Sequence, residues 1–302
     1  MCQPHHSEAL LAQSADKQLL TPSLCNGIAE KKNDNENENN LPKISIITTS
    51  FNSEDTIEET IRSVIGQDYA DTEYIIIDGA STDGTLGIIN RYRDKISKVI
   101  SEHDNGISDA FNKGIRHATG DLICFINSDD VLLPGVLSRV ARHYDGRSDI
   151  YCGNVLLWNP ATNFQCREVP STDFPLMPFF RHVAHQGMFA TKVCYRKYGT
   201  YDTKIRYPMD LDFLIRASRG GARFHYMDID IARFRTGGAT GSNSIWKKRH
   251  DYIYMVRKNG GNILQAYTFY AFLACTQLAK QMLGFLGSNR LQRMRYGEVT
   301  SL

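Results

Sequence analysis

Four runs of β-branched and aliphatic residues, each followed by a polar turn and an amphipathic stretch, constrain this 302-residue chain more than any other feature. The first, Lys43–Ser50 (KISIITTS), leads into Asn52, Ser53, Glu54 and Asp55, which suit a helix start, and then Ile57, Ile61, Val64 and Ile65 recur at helical spacing. The second, Tyr74–Asp78 (YIIID), is followed by the tight turn GASTDGT and a helix over Leu86–Tyr92. The third, Ser97–Ser101, is shorter and precedes the helical stripe Ile107, Ala110, Phe111 and Ala118. The fourth is Asp121–Asn127 (DLICFIN), after which Pro134 opens a further helix, where its missing N–H costs nothing. Strands this uniformly apolar are buried on both faces, so the expected fold class is α/β, a mostly parallel sheet with helices on both sides. Right-handed crossovers then gather the turns that follow the strands along one edge of that sheet.

The flanking segments read differently. Residues 1–42 hold KKNDNENENN and too little apolar surface to offset the entropy of ordering, so a disordered extension is expected there. Tyr151–Trp158 reads as another strand, Asn159–Pro178 as a loop with several prolines, Phe213–Ala217 as a helix and Arg223–Arg235 as one or two strands. From Trp246 onward the chain reads as helices. A net charge of +2 gives no global reason to expect a nucleic-acid partner. Seven scattered cysteines without a CxxC read as small buried thiols in a reducing compartment. No basic region followed by an apolar stretch opens the chain, so the expectation is a cytoplasmic protein without a secretory signal.

The chemistry sits at the strand ends. Thr49, Phe51 and Asn52 follow the first strand, and Asp78, Ser81 and Asp83 the second. Glu102, His103 and Asp104 follow the third, and Asn127, Ser128, Asp129 and Asp130 the fourth. Open α/β sheets bind ligands outside the carboxyl ends of their strands, so these residues converge on one crevice. Neither GxGxxG after the first strand nor GxxxxGK[ST] anywhere is present, which removes support for dinucleotide and P-loop readings. An acid-lined crevice repels a phosphate-bearing ligand unless a cation comes with it. Mn2+ or Mg2+ held by one or two carboxylates and completed by ligand phosphates removes that conflict. The adjacent pair Asp129–Asp130 is the natural metal ligand; taken alone, such a pair also closes turns or caps helices.

From Ile44 to about Ser244 the chain resembles glycosyltransferase family 2, inverting enzymes of the GT-A fold. ITTSFN, SVIGQDY, IIIDGASTDGT, SEHDNGISDAFNKGIRHATGD, FINSDD, HQGMF, YPMDLDFLIR and FRTGGATGS carry that resemblance, in order, and bacterial transferases that build surface polysaccharides are the nearest subgroup. It implies a GT-A domain over 43–245 with a helical tail over 246–302. By position it implies that Thr49, Phe51 and Asp78 hold the nucleotide, that Glu102, Asp104 and Asp129 line the donor-sugar pocket, and that Asp129 and Asp130 serve the metal. Two departures stand out: Gly79 follows Asp78 where many members carry a second acid, and Asn127 is neutral at the first position of the DxD-type motif. Asp210 matches the catalytic base, with Asp212 as the alternative, although both acids also suit a helix N-terminus. His185 and Gln186 meet diphosphate or acceptor, or are structural; Gly237–Ser242 (GGATGS) is a closing loop or a turn.

The implied partners are a UDP- or GDP-linked sugar donor and a glycan or polyprenyl-linked acceptor. Asn259–Ala279 carries no charge and is flanked by the basic WKKRH and NRLQRMR. It suits either an interfacial helix on the anionic cytoplasmic face of the inner membrane or a helix packed on the domain. Two other functions share parts of this pattern. A sugar-phosphate nucleotidyltransferase calls for a Gly-rich basic loop after the first strand, where ITTSFNSED stands; a catalytically silent binding scaffold has no need of Asp129, Asp130 and Asp210 together.

Overall fold

In a computed structural model the chain is described over residues 41–160, 164–171, 183–236 and 245–285. The expected disordered extension over 1–42 falls, but for its last two residues, outside the described residues. Strands β1 (Ile44–Ser50), β2 (Thr72–Asp78), β3 (Lys98–Ser101) and β4 (Leu122–Phe125) form the parallel half of one sheet, in spatial order β3-β2-β1-β4. Helices α1 (Ile57–Ile65), α2 (Thr85–Arg91) and α3 (Ile107–His117) make the crossovers. Beyond β4 the sheet continues as β8 (Met188–Thr191), β6 (Ile150–Asn159), β9 (Phe224–Arg235) and β5 (Val131–Leu132), with β7 (Phe164–Glu168) paired to β6. Here β8 runs antiparallel to β4 and β6, whereas β6 and β9 are parallel. The remaining helices are α4 (Val136–His143), α5 (Lys192–Tyr198), α6 (Met209–Arg219), α7 (Ile245–Lys258) and α8 (Ile263–Phe285).

The unbroken apolar runs have the cause expected of them, which is cover on both faces. Ile47, Ile75, Ile77, Ile123 and Phe125 point into a core shared with α3, α5, α6 and α7. Ile44, Ile46, Ile76, Leu122 and Cys124 point into the opposite core under α1 and α4. The tail is joined to the first of these, because Met255 and Val256 of α7 and Ala266 and Phe269 of α8 are buried in it.

Four details differ from the sequence expectation. The loop over Asn159–Pro178 contains β7, which among the described residues pairs with β6 alone, so its residues need no continuous apolar run. The fourth helix begins at Val136 and not at Pro134, because the short β5 pairs with β9 and Gly135 turns the chain at φ 65°. Arg223–Arg235 forms one long strand from Phe224, with its register to β6 shifted by irregularities around Asn154. The helix expected over Phe213–Ala217 starts earlier, at Met209, which puts both Asp210 and Asp212 in its first turn.

One glycine shows how tightly the layers approach. Gly114 lies inside α3, where glycine costs about 1 kcal/mol relative to alanine. A Cβ there would sit 2.5 Å from Ile47 Cγ2 on β1, so only glycine lets α3 lie this close to the central strand. Gly114→Leu is expected to lower unfolding stability by about 1–3 kcal/mol through overpacking, read as a lower urea midpoint with an unchanged m-value.

Candidate active site

The carboxyl ends of β1, β2 and β3 are tied by one side chain. Ser50, Asp78 and Ser101 are register neighbours across the three strands. Asp78 is fully buried and accepts from Ser50 Oγ at 3.1 Å, Ser81 Oγ at 2.5 Å, Ser81 N at 3.0 Å and Ser101 Oγ at 2.8 Å. A carboxylate offers about four lone-pair sites, so these four donors leave none for a ligand. Beyond it, Asn52 (φ 48°) and Ala80 (φ 62°) adopt left-handed backbone, and Asn52 Oδ1 accepts from Thr82 N, which locks the two turns together. What faces outward is Phe51, 62% exposed, and Asp104, whose carboxylate lies over Gly79 beside the Phe51 ring. A side chain at 79 would start 2.6 Å from Asp104 Oδ2. The missing second acid therefore corresponds to space taken by a different carboxylate. Glu102 is turned toward α3, where it pairs with the buried Lys113 Nζ at 2.9 Å.

The end of β4 carries the acidic pair. Asp129 is half-buried and Asp130 has no accessible surface. Gln186 Nε2 donates to Asp130 Oδ2 at 2.9 Å, Thr60 Oγ1 donates to the Asp130 carbonyl at 2.7 Å, and Asp130 Oδ1 has no hydrogen-bond partner. Burial, joined by the Asp129 charge, pushes Asp130 up to about 7, and burial raises Asp129 as well. Two adjacent carboxylates that resist ionisation, one with a bare buried oxygen, are a donor set that a divalent cation would suit. Asp129 is the more accessible of the two and Asp130 stands behind it. Among the described residues no group of three or more His, Cys, Asp and Glu forms a complete cage, so such an ion would depend on ligand oxygens for the rest of its shell.

A third line of contacts runs across the crevice. Thr49 Oγ1 donates to Asn127 Oδ1 at 2.9 Å, Asn127 Nδ2 lies 2.9 Å from His185 Nε2, and His185 Nδ1 lies 3.7 Å from Asp210 Oδ2. Thus β1, β4, a 3-10 turn at His185–Gly187 and the first turn of α6 meet at one place. Residues two apart on a helix face opposite ways, and that separates the two candidate bases. The Asp210 side chain is 32% exposed on the crevice side. Asp212 is sealed, accepting from Arg216 Nε at 2.9 Å, Lys258 Nζ at 3.1 Å and Asn259 Nδ2 at 2.8 Å.

The structure also brings in a residue that had no expected role. Arg235, at the end of β9, donates from Nε to the Asp129 carbonyl at 3.4 Å and lowers the Asp129 carboxyl against its burial. Its Nη2 pairs with Glu59 at 2.7 Å and its guanidinium lies over the Trp158 ring. The motif FRTGGATGS contained it, but nothing local marks this arginine among the chain's other cations. The glycine-rich half of that motif, Gly237–Ser242, lies outside the described residues.

The sequence model described as Glycosyl transferase family 2 matches residues 45–205. A PGL/p-HBAD biosynthesis glycosyltransferase of Mycobacterium bovis is 31% identical over 214 residues, which cover 68% of this chain and 82% of that one. TuaG of Bacillus subtilis, a glycosyltransferase named for teichuronic acid biosynthesis, is 40% identical over 92 residues, 30% of this chain and 36% of its own. Among solved structures, S. aureus TarS 1–349 in complex with UDP-GlcNAc superimposes with a TM-score of 0.58 at 20% identity. That likeness covers 72% of this chain and 66% of TarS 1–349, just under two thirds of its length. The mannosyltransferase PcManGT of Pyrobaculum calidifontis, in complex with GDP-Man and Mn2+, gives a TM-score of 0.53 at 16% identity over 84% and 81% of the two chains. These likenesses show a shared GT-A-type fold.

The acidic pair carries a pH signature. Asp130 has a folded pKa above its unfolded value, so its contribution to stability is complete below about pH 4 and is lost as pH rises toward about 7. Thermal melts of the metal-free protein should place Asp130→Asn level with the parent at about pH 4 and above it at about pH 8.

Proposed function

The chain belongs to glycosyltransferase family 2, and from that premise we propose that it transfers a sugar from a UDP- or GDP-linked donor to a glycan or polyprenyl-linked acceptor, with inversion at the anomeric carbon. The observation that carries the reading is the pairing of an open carboxylate, Asp210, with the Asp129–Asp130 pair across one crevice, through Asn127 and His185. A catalytically silent scaffold has no need of that convergence. The names of the relatives, one for PGL/p-HBAD biosynthesis and one for teichuronic acid biosynthesis, support a biosynthetic transfer of this kind.

In this mechanism Phe51 offers its exposed face to the nucleobase and Asp104 accepts from a base N–H or a ribose hydroxyl. Asp78 acts one step back, fixing the turns that carry both contacts. Asp129, with Asp130 behind it, would hold Mn2+ or Mg2+, which supplies neutralisation of the charge growing on the leaving diphosphate. Arg235 adds a fixed positive charge on the same side. Asp210 takes the proton of the acceptor hydroxyl as that oxygen bonds to the anomeric carbon; the bond to the diphosphate oxygen breaks on the opposite face, and the nucleoside diphosphate leaves. Asp212 does not suit this role, because it has no accessible surface and three donors hold it.

The same reading gives the tail a purpose. No helix among the described residues is long and apolar enough to cross a membrane. Yet Ile263, Leu264, Tyr267 and Leu278 of α8 are exposed along its outer side, and Ile245–Phe285 carries six Lys and Arg against the single acid Asp251. An apolar strip on a basic helical hairpin matches an anionic leaflet, where a polyprenyl-linked acceptor would be met.

Three measurements test these statements. In a transfer assay with candidate nucleotide sugars and Mn2+, Asp210→Asn should lower kcat by about 100-fold or more while Asp212→Asn acts mainly on stability. Melting shifts with nucleotide that do not depend on the cation would overturn the metal role. The full chain should sediment with phosphatidylglycerol vesicles and not with phosphatidylcholine vesicles, and Leu264→Glu with Tyr267→Glu should release it; binding indifferent to lipid charge would remove the membrane from the scheme.

A further inference from the structure

Asn127, the departure from the acidic motif, stands between Thr49 and His185, and the hydrogens along this line can be assigned from one end. Thr49 Oγ1 donates to the amide oxygen at 2.9 Å, which leaves the amide nitrogen, a donor only, 2.9 Å from His185 Nε2. Nε2 is therefore the bare acceptor, and the ring hydrogen sits on Nδ1. Nδ1 faces Asp210 Oδ2 at 3.7 Å, just outside direct hydrogen-bond range. Every link runs in one direction, Thr49 to Asn127 to His185 to Asp210. The ring is also fixed in position, since its edge packs against Phe111 at a centroid distance of 5.7 Å, and Phe111 is stacked on Phe125 in the core.

We infer that His185 is a positioning residue for the Asp210 base, held by the Asn127 amide in the Nδ1–H tautomer so that it presents a neutral N–H to the carboxylate. This rests on the reading of Asp210 as the base. In free histidine the Nε2–H form predominates, so the line from Thr49 through Asn127 selects the less common one. The consequence for the base is geometric. The Leu211 N–H holds Asp210 Oδ1 at 2.7 Å, and a neutral N–H facing Oδ2 limits rotation of the carboxylate from the other side, the arrangement of a base oriented by a third group. An aspartate at 127 could not donate to Nε2, and that gives the neutral residue of this motif a reason in the chain's own chemistry.

The test is the nitrogen chemical shifts of His185 in full-length, 15N-histidine-labelled protein, assigned by the signals lost in His185→Asn. A protonated Nδ1 beside a bare Nε2 is expected; a protonated Nε2 with a bare Nδ1 overturns the inference. Turnover gives a second reading that a merely structural histidine would not produce. Asparagine can place an amide N–H where Nδ1–H stands, whereas glutamine reaches toward the Nε2 position. His185→Asn should keep kcat within about threefold and His185→Gln lose about tenfold or more, with KM for the donor unchanged in both. The reverse order overturns the positioning role. Should Asp210→Asn keep full turnover, the base assignment falls, while the nitrogen shifts still decide the tautomer.

Discussion

A carboxyl group without access to water is costly unless hydrogen bonds satisfy it, and the strand ends of this protein are built around one that is fully satisfied, Asp78. Its donors come from β1, from β3 and from the turn after β2. Because Ser50, Asp78 and Ser101 stand level across three strands, the hydrogen bonds hold only in one register, and a slip of one residue would turn them to opposite faces. The turns bearing Phe51, Gly79 and Asp104 are placed by that register. This buried acid thus determines where the exposed groups lie, and its effect on a ligand is exerted through them.

A second buried acid does the same for α6. Asp212 draws Arg216 of its own helix together with Lys258 and Asn259 at the end of α7, and so fixes the rotation of α6 about its axis. Asp210, two residues earlier, is turned into the crevice by consequence. The C-terminal helices are in this way linked to the crevice: Lys258 of α7 and Asn259 just after it are two of the three partners of Asp212, and α8 packs on α7 with Ala266 and Phe269 in the main core.

Much of this was legible from the chain alone. Apolar runs with no alternation required a sheet covered on both sides, and the polar residues after each run required a shared edge, because both follow from backbone geometry and the handedness of crossovers. The motif segments around Asp129 and Asp210 fell where the strand ends and the α6 start were then found. Less was legible where a short element depends on a distant partner. β7 and β5 are stabilised by pairing with β6 and β9, and neither shows a periodic apolar signature of its own.

What the sequence could not settle is which acids are available. Asp78, Asp104, Asp129, Asp130, Asp210 and Asp212 look alike in a string, and each carries the same intrinsic chemistry. Their availability depends on lone pairs, and lone pairs are filled by donors tens of residues away: Ser50 and Ser101 for Asp78, Gln186 for one oxygen of Asp130, Lys258 and Asn259 for Asp212. The sequence by itself determined the sheet, its reactive edge and the acidic character of that edge, since these follow from local periodicity. Tertiary structure alone decided that Asp210 and Asp129 stay open while Asp78 and Asp212 are spent, because burial and hydrogen-bond saturation are properties of packed neighbours.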